Sequence, residues 1–402
     1  MSLLPAAVVA QVLSAGIGDR IEARGVFERD NRRLEAENSA YAAAALEYPE
    51  LRLRLVYSPT VLLTPLERSP RALDLTHTID GTAESNLTVY ERARFVVGTQ
   101  LRLAYRQEDY RRQLYGTSLP ANTGAAPPPV PPGGPPSDAS TSEAVRAGNV
   151  TTRYGSADAS VSFMERLGRR STLTESAGYA TSIGLDEFSR TLYPFTHGPN
   201  ASVRYVFVAT PRDTLTTSLD GKLTIAPSID GRAWESELEQ RWLHLFSRRL
   251  SGDVSLGVEY TRAERLGNPP ETAVYPTAEA GLSYGTRAAG GDLSLGIRLS
   301  YSPILDRTTL IFDPRVGVSG GVTWRKRRLY LYAATETTVS VSPEDPGSLS
   351  DARGRAGYVY DLGAGFSTDG GVRAIWQYYD GSTTIAPTWE VFLGLAWGYE
   401  LL

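Results

Sequence analysis

The sequence predicts an all-β protein: a transmembrane antiparallel up-and-down β-barrel of about 18 strands (16–20), with short turns at one end and long loops at the other. Three observations carry this. The first is the stretch from Trp389 to Leu402. Trp389, Val391, Leu393, Leu395, Trp397, Tyr399 and Leu401 alternate with Glu390, Phe392, Gly394, Ala396, Gly398 and Glu400. Period two is a strand. Its apolar face carries indoles at both ends, as lipid demands of a barrel wall, and its other face is small or charged apart from one Phe. The second is composition: Gly 38, Tyr 22, Trp 6 and Cys 0. Mean hydropathy is only −0.24 because half of each barrel strand is polar. No run of about 18 apolar residues exists, which excludes helical spans.

The third observation is the alternation of connection lengths. Short connections fall at Tyr48-Pro49, Arg92-Ala93, Leu167-Gly168, Thr210-Pro211, Ser247-Arg248, Thr286 to Ala289, Lys326 and Thr368-Asp369. All follow even-numbered strands. Long connections at 63–82, 109–146, 185–198 and 344–352 follow odd-numbered ones. Outer-membrane barrels have short periplasmic turns, longer external loops and an even strand number, which puts both termini in the periplasm.

In order, the predicted strands are 18–29, 36–47, 50–62, 83–91, 94–108, 147–165, 168–184, 199–209, 212–226, 231–246, 249–265, 272–286, 290–306, 309–325, 327–343, 353–366, 369–381 and 387–400. Several have clean faces. Leu51, Leu53, Leu55 and Tyr57 oppose Arg52 and Arg54. Leu215, Leu219, Leu223 and Ile225 oppose Thr216, Ser218, Asp220 and Lys222. Trp234, Leu238, Trp242 and Phe246 oppose Glu235, Glu237, Glu239 and Arg241. Leu250, Val254, Leu256, Val258 and Tyr260 oppose Asp253 and Glu259, and Leu295, Ile297 and Leu299 oppose Arg298. Trp234 and Trp242 are eight residues apart, as are Trp389 and Trp397. Eight residues tilted by roughly 40° climb about 20 Å, close to the apolar band of about 25 Å.

Two stretches stand outside the strands. Residues 1–17 are apolar and lack Lys and Arg; they read as the remnant of a secretory signal, with cleavage at Val8-Val9-Ala10 or Leu13-Ser14-Ala15, or as a plain apolar leader. Residues 18–402 form one barrel domain. Within it the loop 109–146 contains the run Ala126 to Pro136, which is rich in Pro and cannot be a strand. It is either a lid or contact arm, or a mobile extracellular loop.

Nothing in the sequence assembles a catalytic set or binds a cofactor, and the expectation is a non-enzyme. Zero Cys removes thiol chemistry and most zinc sites. His77 lies near Asp74 and Asp80 in a predicted loop, where such a trio activates water, binds a metal or is simply solvated. His244 alternates with Trp242 and Phe246 and faces lipid or the interface; His197 has no evident partner. The net charge of −4 and the lack of a basic domain give no sign of nucleic acid.

What the pattern does predict is a charged lumen. Its basic members are Arg52, Arg54, Arg94, Arg102, Arg106, Arg204, Arg241, Arg298 and Arg315; its acidic members are Glu235, Glu237, Glu239, Asp253, Glu259, Glu279 and Glu390. Arg and Glu runs on separate strands give either a transverse field or a mixed, unselective wall. Mixed charge, Ser and Thr, with few lumen aromatics, suit hydrated, hydroxyl-rich or ionic cargo. Around the short turns basic residues predominate: Arg169, Arg170, Arg212, Arg248, Arg249, Arg325, Lys326, Arg327 and Arg328. Such a ring anchors on lipid phosphates or docks a partner.

Four local motifs add a family expectation. They are Pro211-Arg212-Asp213-Thr214-Leu215-Thr216-Thr217, Phe246-Ser247-Arg248-Arg249-Leu250-Ser251, Tyr275-Pro276 followed by Ala278-Glu279-Ala280-Gly281-Leu282, and Asp313-Pro314-Arg315-Val316. Over roughly 200–400 the chain resembles the myxobacterial and deltaproteobacterial outer-membrane β-barrel porins associated with polysaccharide-export systems. The resemblance implies an 18-stranded porin in the bacterial outer membrane. Its cargo would be a secreted polysaccharide, handed over by a short periplasmic export protein. The alternatives are a general diffusion porin for small hydrophilic solutes and a structural or adhesive barrel.

Overall fold

The computed structural model describes residues 12–27, 32–47, 51–63, 73–92, 95–109, 153–185, 187–192, 194–306, 310–341, 349–379 and 388–400. They form 18 strands: β1 (Val12–Phe27), β2 (Arg32–Glu47), β3 (Leu51–Leu63), β4 (Leu73–Arg92), β5 (Phe95–Asp109), β6 (Arg153–Arg166), β7 (Ser171–Gly184), β8 (Thr196–Val208), β9 (Asp213–Ala226), β10 (Gly231–Leu245), β11 (Leu250–Arg265), β12 (Glu271–Ala288), β13 (Gly291–Asp306), β14 (Ile311–Lys326), β15 (Leu329–Ser340), β16 (Leu349–Gly363), β17 (Phe366–Tyr379) and β18 (Thr388–Glu400). Each pairs antiparallel with its sequence neighbours, and β1 pairs with β18 from Gly16↔Glu400 to Phe27↔Trp389. The ring is therefore closed and has no free edge, the condition for strands in lipid.

Directly paired residues share a face, so the outer surface can be followed from strand to strand. Starting at Trp389, Leu393 and Trp397 it passes to Ile17 and Ile21, then Leu53 and Leu55, and round to Leu219, Leu238, Leu256, Leu282, Ile297 and Val318. These apolar side chains are exposed, Leu238 to 55% and Leu393 to 58%. Polar residues take the other face. A closed barrel with its hydrophobic surface outside and its charges inside is a membrane-spanning wall.

The two rims differ as the connection lengths predict. Both described chain ends, at Val12 and Glu400, lie at the short-turn rim. Two of the turns there are two-residue hairpins with positive φ at both positions: Ala289-Gly290 (52° and 75°) and Ala364-Gly365 (53° and 79°). These are primed turns, whose twist matches that of the strands they join. At the opposite rim, the β7–β8 connection contains a short helix α1 (Glu187–Leu192), which covers Gly184 and buries Ser189 completely. Leu310, just before β14, has φ 54° and is fully buried against the inward-facing Ala226 and Ala233. Its burial offsets the strain of a left-handed Leu.

Several boundaries differ from those read in the sequence. Strand β1 begins at Val12, inside the stretch taken as a leader. Strand β4 begins at Leu73, so half of the loop placed at 63–82 is strand; Leu63↔Leu73 pairing extends through Thr- and Asp-rich sequence with weak alternation. The last short turn is Ala364-Gly365, not Thr368-Asp369. Ser367 and Asp369 are polar because they face the interior. Likewise Thr286 to Ala288 and Lys326 are strand ends, with the turns at Ala289-Gly290 and Arg327-Arg328. The Pro-rich stretch and residues 1–11 lie outside the described residues.

Candidate functional site

The candidate site is the inner wall. On β3, alternation turns Arg52 and Arg54 inward, opposite in phase to Leu53 and Leu55, and both remain exposed. Arg204 on β8 is also inward and exposed. No ion pair holds these three among the described residues. Facing β3 across the ring stands β12, nine strands away in an 18-strand order.

The wall around β12 is acidic. Glu235, Glu237 and Glu239 climb β10, beside Asp220 on β9 and Glu259 on β11. Glu237 sits directly opposite Glu259 and accepts a hydrogen bond from the Thr277 hydroxyl (2.7 Å). Like charges so placed repel, and Lys222 stands 3.9 Å from Glu235. Lower on the same wall the charges interlock. Arg241 contacts Asp253 (2.5 Å) and Glu279 (3.9 Å); Arg298 reaches Asp253 (3.6 Å) and is paired with Glu279. Asp253 is on β11 and Arg298 on β13, so the contact must cross β12. It crosses at Gly281, where a Cβ would stand 2.8 Å from the Asp253 carboxylate.

A second network closes the barrel seam. Arg24 on β1 binds Glu35 (2.6 Å) and Glu37 (3.0 Å) on β2. Arg20 binds Glu22 (2.5 Å) and Asp369 on β17 (2.6 Å), and Arg373 binds Glu22 (3.3 Å) and Glu390 (3.5 Å). The Arg20–Asp369 contact skips β18 at Gly394, where a Cβ would meet the Asp369 carboxylate at 2.6 Å. Both networks thus use a glycine in the intervening strand to let an ion pair bridge two strands apart. Phe392, the single aromatic on the inner face of β18, lies under the Arg373 guanidinium at 3.9 Å, a cation–π contact.

Of the residues expected in the lumen, Glu235, Glu237, Glu239, Arg241, Asp253 and Arg298 are half-buried on the inner face, while Glu259, Arg315 and Glu390 are buried. Arg315 is tied to Asp313 (2.8 Å). Arg102 and Arg106 occupy β5 positions paired with Glu84 and Asp80. Arg94 lies outside the described residues. Sequence reading missed Arg20, Glu22, Arg24, Glu35, Glu37, Asp369 and Arg373. Their alternation was visible, but the β1–β18 register that gathers them was not. It also undercounted interior aromatics: Tyr41, Tyr275, Tyr330 and Tyr332 join Phe392 on the inner face.

Two of the histidines have side-chain partners, and the third lies on a strand. His77, Asp74 and Asp80 are on regular strand β4, which removes the loop that would gather them. His244 is held by Asp213 (2.6 Å), which also accepts from the Trp242 indole (3.1 Å). His197, on β8, does have a partner, the Tyr179 hydroxyl at 2.5 Å. At the short-turn rim Arg169, Arg170, Arg212, Arg248, Arg249, Arg325, Lys326, Arg327 and Arg328 are all exposed.

A model of the EpsX exopolysaccharide export family matches residues 98–398. The chain belongs to the EpsX exopolysaccharide export family. This EpsX-family barrel is also similar to solved structures. They include Pseudomonas aeruginosa OccK9 (OpdG), at 12% identity over 97% of this chain and 98% of that one, with TM-score 0.48. Acinetobacter baumannii OccAB2 matches at 11% identity, 97% and 98% coverage and TM-score 0.47. The outer membrane protein opdK from Pseudomonas aeruginosa matches at 7% identity, 97% and 99% coverage and TM-score 0.47. No curated protein matches the chain. The strand count rests on the chain's own pairing, and barrel and family together make this EpsX-family member an outer-membrane β-barrel.

Proposed function

We propose that this barrel is a non-enzymatic conduit that passes a secreted exopolysaccharide across the outer membrane. The observation that supports it best is the exposed charge of the inner wall: Arg52, Arg54 and Arg204 face the interior of a closed 18-strand ring without being packed over. Rings of 16–18 strands leave an aqueous channel. A wall of charges, Ser and Thr exchanges hydrogen bonds with a hydrated sugar chain without trapping it. The short-turn rim, with both chain ends, faces the periplasm in this reading, and the long loops face outward. The resemblance to myxobacterial and related deltaproteobacterial barrels extends the reading to the source. In cells, loss of the barrel abolishes surface exopolysaccharide and re-expression restores it. Unchanged export without the barrel would sink the proposal.

A general diffusion porin is the second reading, favoured by opposed charge: Arg52 and Arg54 on β3 across from the acidic wall at β10–β12. Such an array makes a transverse field and selects ions. Replacing Glu235, Glu237 and Glu239 by Gln shifts reversal potentials toward anion preference in planar bilayers. A selectivity that does not move would place these carboxylates away from the ion path.

The basic short-turn rim belongs to the same proposal. It docks an acidic face of a periplasmic export protein and steers it into register. Changing Arg248, Arg249, Arg325, Arg327 and Arg328 to Gln leaves folding intact, lowers secretion and abolishes co-purification of the partner at low salt. Normal secretion by an assembled mutant would leave lipid-phosphate anchoring as the role of the ring.

A further inference from the structure

We propose that the outer surface of β8–β11, just below the long-loop rim, binds a phosphorylated saccharolipid of the outer leaflet. Its phosphate rests on Arg232 and Arg262, and an acyl chain lies in a cleft over Gly221.

Arg232, Arg262 and Glu264 share the lipid-facing phase of β10 and β11, the phase of Trp234 and Leu238. Arg262 is paired directly with Trp234, and Arg232 lies two residues nearer the rim. Both guanidiniums therefore sit at the level of the aromatic girdle, where lipid phosphates lie. Both contact the one carboxylate of Glu264, Arg262 at 2.6 Å, which leaves one positive charge in excess. Their side chains are 64% and 49% exposed, so their remaining donors point to the surroundings. Two forked guanidiniums match phosphate oxygens in the bidentate manner.

Beside Trp234, across β9, the same outer face opens into a cleft of about 280 Å³. Its outward side chains include Pro199, Ala201, Leu219, Leu223 and Trp234. Its floor is Gly221, where a Cβ would find nothing within 4 Å. Apolar area facing lipid draws acyl chains anywhere; a recess capped by Trp234 and flanked by cationic donors fixes one lipid by both ends. The choice of a saccharolipid rests on the proposed orientation, in which this rim meets the outer leaflet.

The test is equilibrium binding of labelled diphosphoryl lipid A to the purified, folded barrel in detergent, with phosphatidylglycerol as competitor. The double variant Arg232→Gln and Arg262→Gln loses affinity at least tenfold, and so does Gly221→Leu, which fills the cleft without a backbone clash. Both variants keep the parent conductance, which shows that they fold. Binding that survives both variants overturns the site. Equal competition by phosphatidylglycerol overturns the lipid class. Orientation is read separately. The chain has no Cys, so Asn268→Cys in the β11–β12 turn is a unique thiol, labelled in intact cells by an impermeant maleimide only if this rim faces outward. An unlabelled thiol overturns the outer-leaflet assignment, whereas labelling with lipid binding unaffected by the variants condemns the site alone.

Discussion

Leu238→Arg lowers the stability of the barrel in lipid vesicles by about 2–4 kcal/mol, while Glu237→Arg, one residue away, leaves the fold intact. The difference follows from phase. Leu238 lies midway between Trp234 and Trp242 on the outer face of β10 and is 55% exposed, so a charge there stands near the bilayer midplane. Glu237 is on the inner face, opposite Glu259 and beside Glu235 and Glu239. An Arg at 237 replaces repulsion by attraction, at the loss of one hydrogen bond from Thr277. Urea unfolding in vesicles measures both. Equal losses would mean that the faces have been assigned wrongly.

Arg24→Ala is expected to cost about 3–5 kcal/mol, because it strands carboxylates that it now neutralises. Glu35 is 2% exposed, and Glu37 and Glu22 also lie within reach of the same guanidinium. Removing the acids together with the base reverses most of the loss. Arg24→Met combined with Glu35→Gln and Glu37→Gln removes the two acids that Arg24 binds on β2, leaves Glu22 to Arg20 and Arg373, and folds close to the parent level. Arg24 itself bonds within β1 and β2, and the pairs that cross the seam are Arg20–Asp369 and Arg373–Glu22, whose arginines share Glu22 with it. Equal stability in vesicles for Arg24→Ala and the triple variant would contradict this account of the stranded carboxylates.

Much of the barrel was legible because period-two alternation is a local signal. Trp389 to Tyr399 shows its faces without help from any neighbour, and so do Trp234 to Trp242. Elements went astray where polarity had two readings. Ser367, Thr368 and Asp369 resemble a turn, yet Asp369 is polar because Arg20 awaits it inside. Leu73 to Thr82 resembles a loop, yet full-length pairing with β3 makes it a strand. The six-residue helix α1 left only a faint mark, the acidic Glu187 in its first turn and Arg190 in its last. The inner wall was legible residue by residue but not as networks. Which charges meet depends on register between strands hundreds of residues apart, as with Arg373 and Glu22. The role of Gly281 and Gly394 as crossing points appears only once three adjacent strands are aligned.

The conduit itself is tested most directly by current through single barrels in a planar bilayer, with the purified exopolysaccharide of the host added at the short-turn side. The account predicts an open, ion-conducting channel whose current is interrupted by entry of the sugar chain, with blockades that lengthen as the chain lengthens. A barrel that conducts small ions while the polysaccharide leaves its current untouched would contradict export and leave the diffusion porin standing.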